Sequence, residues 1–594
     1  MKREYNYFQE PTASNPAYAP DGKKLRFIAD YDGQPQIWEL DGEGGKPVKI
    51  TFSKERITLF KFIGNSGMAI LGMDADGDEK QQLFLLKQGA EPLPLTDDPQ
   101  HVHHYGGASP DGRWIAWSSN RRNPAFFDIY IQNLASLQHY PVFIGDGTYE
   151  SIAWSLDGKE LILRHTNSPQ DHDIGVLNIS TGKVRWLTLH KGEAGFKSVH
   201  FSRDASKLYL LTNIGREFYG LASLSLASGE VSWLCRDPWD YEGLVMNKEK
   251  TKLAFSVNEG GVSRGVIADL LSGRFYTWDT PVGVISDLSF SSDGKKLAYA
   301  FSGPGFPQEI WRLKLSEATP DRLTDFGELG EDVRKELEHE MISYRTFDGM
   351  EVPAFLYRPS SIIQEPLPAV IYLHGGPESQ SRASYSSFVT YLVRKGYVVC
   401  APNFRGSTGY GKSYTHLDDG RKRMNAVSDI VFLAEWLKSE GSTDPARISL
   451  LGGSYGGFLV LAALTHYPQL WASGISIVGI SSIRSFLENT SPWRRRHREA
   501  EYGTVERDGD FFDRIDPVHH TDRIRSPLML IHGANDPRVP IGESEQMAAK
   551  LRARHHPVTY IRFEDEGHSL LKMKNKVTAY SKMGAFLERI NGLQ

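Results

Sequence analysis

The chain has 594 residues, too many for one hydrophobic core, so two or three domains are expected. Its composition, 40% hydrophobic and 24% charged, is that of an ordinary globular protein, and a formal net charge of −5 offers no basic surface to nucleic acid or an anionic membrane. Met1 to Asn6 is polar without an apolar signal core, and no stretch is long enough to span a bilayer, so a cytoplasmic protein is expected. The two cysteines, Cys235 and Cys400, lie in apolar strand-like runs and read as buried thiols rather than a disulfide.

One pattern recurs from the N-terminus to about residue 300. It stands as Pro20-Asp21-Gly22-Lys23-Lys24-Leu25, Pro110-Asp111-Gly112-Arg113-Trp114-Ile115, Leu156-Asp157-Gly158-Lys159-Glu160-Leu161 and Ser292-Asp293-Gly294-Lys295-Lys296-Leu297. Each is an Asp-Gly turn followed by an alternating apolar strand. Degenerate copies at Asn65–Ile70, Arg203–Leu208 and Lys248–Leu253 bring the total to seven. A period of about 45 residues with several short strands per unit predicts a seven-bladed β-propeller. Two β-sandwiches in series would not repeat one turn at constant spacing. Two polar clusters in this half, His101, His103 and His104 and the acidic run Asp74 to Glu79, read as surface loops. Neither has the ligand spacing of a metal site, so no metal and no cofactor are expected.

The propeller with a short N-terminal extension is assigned to residues 1–325, a charged, helix-prone linker to 326–340, and a second domain to 341–594. In that domain strands alternate with helical runs. Ala369–Leu373 and Tyr397–Ala401 are near-continuous apolar strands, as in a sheet covered on both faces. Further strands are expected at Arg447–Leu451, Gly474–Val478, Leu528–His532 and Val558–Phe563, with helices at Val427–Leu437, Glu543–Leu551 and Val577–Ile590. This is the alternation of a doubly wound, mostly parallel sheet, the α/β-hydrolase type.

Gly452-Gly453-Ser454-Tyr455-Gly456 fits G-x-S-x-G between a strand and a helix, the elbow that presents a nucleophilic serine. A serine hydroxyl needs a base, and the base needs an orienting carboxylate. In the chain order Ser, Asp, His, two loop residues at strand ends qualify: Asp536 after Leu528–Ile531, and His568 after Val558–Phe563. Asp565 and Glu566 adjoin His568 but should face away within a tight turn, and His532 precedes the aspartate. The oxyanion requires two N–H donors. Tyr455 follows the nucleophile, and Gly376 lies in the loop His374-Gly375-Gly376-Pro377 after an early strand.

With His374–Pro377, Asn403-Phe404-Arg405-Gly406-Ser407-Thr408-Gly409-Tyr410-Gly411, Gly452–Gly457 and Asp565–His568 in place, the chain resembles the prolyl oligopeptidase family of serine peptidases over nearly its full length, and its acylaminoacyl-peptidase branch most closely. The resemblance implies a triad of Ser454, Asp536 and His568, hydrolysis of short peptides through an acyl-enzyme, a propeller that excludes folded proteins, and a homo-oligomer. It also implies release of N-acylated amino acids, with carboxypeptidase or broad oligopeptidase activity as alternatives. Asn425-Ala426-Val427-Ser428-Asp429 departs from the family's Asp-Val-x-Asp at Ala426, with only structural consequences expected. The run Trp493-Arg494-Arg495-Arg496-His497-Arg498 falls in a region that borders the cleft of such enzymes. Arg495 and Arg496 are the expected contacts to a substrate carbonyl or carboxylate, against a solvated face paired with Glu499 and Glu501. An esterase and a non-catalytic propeller scaffold remain as readings of other kinds.

Overall fold

The computed structural model describes residues 8–317, 319–325, 337–359 and 366–592. The first half forms seven four-stranded antiparallel meanders in chain order, a seven-bladed propeller, with the third and fourth linked by one parallel pairing, Phe127 with Thr148. They span residues 13–49, 57–94, 103–143, 148–186, 196–235, 240–278 and 284–322. Each recurring turn joins the first two strands of a blade. In the third blade Asp111 Oδ1 accepts from Arg113 N–H at 3.1 Å and from Ser109 Oγ at 2.6 Å, while Gly112 takes the left-handed φ of 68°. The degenerate fifth and sixth copies place Ala205 (φ 55°) and Lys250 (φ 57°) at the same point. The turn geometry therefore persists where its preferred glycine is missing. The ring closes by side-chain packing: Leu25, Phe27 and Leu40 of the first blade bury against Ala298, Ala300 and Ile310 of the last. Arg312 Nη1 adds a bond to Gly42 O at 2.7 Å.

The second half is an eight-stranded mixed sheet. Its strands are β1 (Leu337–Arg345), β2 (Glu351–Pro359), β3 (Leu367–Leu373), β4 (Val398–Pro402), β5 (Thr443–Gly453), β6 (Ser473–Ile477), β7 (Leu528–Gly533) and β8 (Val558–Phe563). They lie in the order β1-β2-β4-β3-β5-β6-β7-β8. β1, β2 and β4 pair antiparallel, and all other neighbours are parallel. Helices cover both faces, which is why Val370, Ile371, Val398 and Val399 are all fully buried. The helices Arg423–Ser439 and Tyr455–His466 pack one face; Ser387–Arg394 and Met573–Asn591 pack the other.

Two expected boundaries differ. Residues 326–336 of the expected linker lie outside the described residues, but residues 337–340 already belong to β1, where Leu337 pairs with Pro359 and Glu340 with Leu356. Leu337-Glu338-His339-Glu340 carries one apolar position after a charge-rich stretch, too little for a strand period to be read from sequence. Phe8, in the expected propeller extension, is fully buried in the second domain against Phe388, Tyr391 and Tyr580. Among the described residues no helix is long and apolar enough to cross a membrane.

Candidate active site

Ser454 sits at the sharp turn between β5 and the helix Tyr455–His466, with φ 56° and ψ −119°. That backbone is strained for a residue with a side chain, and the surroundings enforce it. Ser454 N–H is bonded to Ile477 O of β6 at 2.8 Å. A Cβ on Gly452 would lie 2.3 Å from Gly456 O, and one on Gly456 would lie 2.2 Å from Leu373 O. The two glycines of the motif thus let the helix start directly above β3 and β5. Tyr455 is the first residue of that helix, so its N–H has no partner within it and points toward the turn.

Asp536 and His568 meet at the ends of β7 and β8. His568 Nδ1 and Asp536 Oδ2 are 2.7 Å apart. Asp536 Oδ1 accepts from Arg538 N–H at 2.8 Å and Val539 N–H at 3.0 Å. Burial alone would raise the Asp536 pKa, but hydrogen bonding to His532 and His568 outweighs it and holds the carboxyl far below the usual range. His532, fully buried, lies 3.4 Å from Asp536 Oδ2 and is itself fixed by Ser544 Oγ at 2.8 Å and Val539 O at 3.0 Å. Asp565 and Glu566 do turn away. Glu566 accepts from Leu571 and Lys572 N–H at 3.1 and 2.9 Å, and Asp565 from Lys572 and Asn575 at 3.1 and 2.9 Å. They brace the loop that carries His568.

Ser454, His568, Gly375 and Gly376 line one cavity of about 450 Å³, which Pro169 of the propeller also borders. The loop His374–Pro377 is held from behind: His374 stacks on Phe404 at 4.3 Å and bonds Ser407 Oγ at 2.9 Å. Burial lowers the His374 pKa to about 4, so its ring is neutral there. Arg405, in turn, is gripped by Asp429 through its Nε (3.0 Å), Nη2 (2.9 Å) and backbone N–H (3.0 Å). Asp429 of the departing Asn425–Asp429 segment thus supports this loop from a distance, while Ala426 is buried in the core.

The arginine cluster is placed differently from expectation. In the helix Pro492–Tyr502 it is Arg494 and Arg498, with Trp493 and His497, that face the cavity. Arg495 pairs with Glu499 at 2.7 Å and Glu506 at 3.4 Å, and Arg496 is exposed. Residues at i and i+4 share a helix face, and Arg495, one residue on, is turned about 100° away. The cavity residue Arg538 and its partner Glu79 escaped the sequence reading. Arg538 is presented by the same turn as Asp536, two positions later, and that spacing was the available signal. Glu79 belongs to the acidic run expected as a surface loop. It instead reaches across the domain interface to Arg494 Nη2 at 2.6 Å and Arg538 Nε at 2.8 Å. In the same loop Asp76 pairs with Lys572 at 2.5 Å, and a Cβ on Gly567 would lie 1.9 Å from Gly77 O. The histidine group is not a surface loop either. His103 starts the inner strand of the third blade and is fully buried beside Trp117. Among the described residues no group of three or more histidine, cysteine or acidic side chains could hold a metal ion.

Residues 383–594 match the model of the prolyl oligopeptidase family. The chain is 30% identical over 345 residues to dipeptidyl peptidase family member 6 of Caenorhabditis elegans, covering 52% of this chain but only 46% of that protein. It is 26% identical over 659 residues to dipeptidyl aminopeptidase BIII of Pseudoxanthomonas mexicana, covering 98% of this chain and 88% of the relative. It is 26% identical over 325 residues to the acylamino-acid-releasing enzyme of Sus scrofa, covering 53% and 43%. Among solved structures, a puromycin-hydrolysing peptidase of Mycobacterium tuberculosis superposes with a TM-score of 0.87 at 21% identity, over 100% of this chain and 96% of the other. The serine on its strained elbow lies within residues 383–594, the part of the chain that matches the prolyl oligopeptidase family of serine peptidases, and the propeller set over a mixed sheet gives the whole chain the fold of the solved peptidase.

Proposed function

We propose that the protein cleaves short peptides through an acyl-enzyme on Ser454. The observation that carries this is the Asp536–His568 pair, 2.7 Å apart, opening into the same cavity as the Ser454 elbow and Gly376. His568 takes the proton of Ser454 Oγ as the oxygen attacks the scissile carbonyl, then returns it to the leaving amine. Asp536 stays ionised and holds the imidazole with its free nitrogen toward the serine. The N–H groups of Gly376 and Tyr455 receive the oxyanion. Water then enters and His568 repeats the cycle to release the acyl group. Because the cavity is shared with the propeller, a substrate has to be slender enough to reach it.

The acyl group released is proposed to be an N-acylated amino acid, a reading supported by the acylamino-acid-releasing relative that aligns with 53% of the chain. A second reading, removal of dipeptides from a free N-terminus, is supported by the dipeptidyl aminopeptidase that matches 98% of the chain. One peptide sequence offered with a free, an N-acetylated and a C-amidated terminus separates them by mass spectrometry of the products. The first reading requires cleavage of the acetylated form only, and the second cleavage of both forms with a free N-terminus, C-amidated or not, but not of the acetylated form. Abolition by C-amidation would show a carboxypeptidase and refute both. A Ser454→Ala protein that still cleaves would refute the mechanism.

A further inference from the structure

Glu378 stands two residues after Gly376 in the oxyanion loop. It lines the cavity of Ser454 and His568, and also a second cavity of about 280 Å³ between the propeller and the segment Thr408–Thr415. It therefore occupies the junction of the two spaces. Among the described residues its carboxylate has no hydrogen bond and no ion pair. The other acids of the second cavity are all engaged. Glu217 accepts from Ser413 N–H at 2.7 Å and Oγ at 2.8 Å. Asp240 accepts from Tyr219 N–H at 2.9 Å, and Glu242 from Arg382 at 2.8 Å and Asn258 at 3.0 Å.

The nearby cations are committed elsewhere. Arg498 is drawn to Glu501 at 3.7 Å, and His416 is held by Asp419 at 2.7 Å and Glu193 at 2.9 Å. Lys197, on the propeller side of the second cavity, has its ammonium 3.9 Å from the centre of the Tyr219 ring. A half-buried carboxylate without a counter-charge at hand is costly. Burial accordingly pushes Glu378 up to about 7, with Arg498 the main group pulling it back. An arriving cation would relieve that cost.

Building on the assignment of Ser454 as nucleophile, we infer that Glu378 is a specificity residue: it pairs with an ammonium or guanidinium group carried by the substrate beside the scissile bond. When the carbonyl oxygen lies at Gly376 N–H, a group a few bonds away on the acyl half reaches the junction where Glu378 stands. Two sources of that cation are possible in a peptide, a basic side chain at the cleaved residue or a free α-amino group.

The test compares p-nitroanilides of N-acetyl-lysine, N-acetyl-norleucine and norleucine with a free amine, on the wild type and on Glu378→Gln. The expected result is a kcat/KM at least ten-fold higher for one cationic substrate than for N-acetyl-norleucine. That preference should fall to within about two-fold of unity in E378Q, with the change in KM. Preference for acetyl-lysine identifies the side chain as the source, and preference for free norleucine identifies the α-amine. No preference in the wild type, or a preference that E378Q retains, overturns the inference. A binding measurement separates it from the peptidase reading. Calorimetry on Ser454→Ala should show butylammonium, but not butanol, binding at least ten-fold more tightly than to the Ser454→Ala/Glu378→Gln protein. Equal binding would refute a cation site even if peptides are cleaved, whereas cation binding without any cleavage would refute only the assigned chemistry.

Discussion

Replacing Glu79 by glutamine removes one negative charge from the propeller and leaves two cavity arginines without their shared partner. The side chains of Glu79 and Arg494 are 19% and 17% exposed, whereas that of Arg538 is 46% exposed. A charge-assisted hydrogen bond between shielded groups contributes about 1.5–3 kcal/mol. The Arg538 pair, half in water, is worth only ~0–1 kcal/mol. The Arg494 contact therefore dominates, with a loss of about 2 kcal/mol expected for E79Q. At ~1.4 kcal/mol per decade, this is a fall of roughly thirty-fold in kcat/KM if Arg494 holds the bound substrate. Burial lowers the Arg494 pKa to about 10, so it keeps its charge at neutral pH and becomes a poorly compensated cation in the variant. The assay is steady-state cleavage of a peptide nitroanilide by wild type, E79Q and E79D, with thermal unfolding measured in parallel. The loss should appear in KM, with partial recovery in E79D. A kcat/KM within two-fold of wild type, together with a lowered Tm, would refute the reasoning and reduce Glu79 to an interdomain clamp.

Asp536→Asn keeps the shape of the orienting residue but removes its charge; kcat should fall about 10⁴-fold, and a loss under ten-fold would show that another group orients His568. The His416 pKa is raised from 6.5 to about 10 by hydrogen bonds to Asp419 and to Glu193 of the propeller. A group raised on folding stabilises fully below its unfolded pKa and loses that contribution as pH climbs through the folded one. The Tm gap between wild type and His416→Gln should thus be larger at pH 6 than at pH 10, and an equal gap at both would refute it. Phe27→Ala hollows the seam where the first and last blades meet, with Phe27 fully buried. A cost of about 3–5 kcal/mol is expected in chemical denaturation, and a change below about 1 kcal/mol would mean that the seam is not packed as described.

Much of the architecture was legible because its signals are local. An Asp-Gly turn followed by an alternating strand recurs because each blade is one meander with the same first hairpin, and the left-handed turn residue selects glycine in five of the seven copies. The elbow was legible because the strand, the strained serine and the helix are contiguous. Asp536 and His568 could be chosen because chain order and strand ends leave few alternatives. The arginines show where this stops. Helical periodicity alone pairs Arg494 with Arg498, but which helix face meets the cavity depends on what packs against the helix. Trp493 stacks edge-on with Phe127 of the third blade at 5.5 Å, and that contact sets the phase.

The amino-acid sequence by itself determined the elements and the candidate site residues: the repeat, the sheet alternation and the order Ser454, Asp536, His568. Each follows from φ/ψ preference, period or the chemistry of a short motif, which a chain segment carries wherever it lies. The tertiary structure alone decided what surrounds those groups. Glu79 meets Arg494 although 415 positions separate them, the acidic loop turns inward against the loop of His568, and Glu378 is left facing two cavities without a partner. Such pairings arise from the docking of two separately folded surfaces, where burial and shape set which charges meet, and no local pattern encodes them.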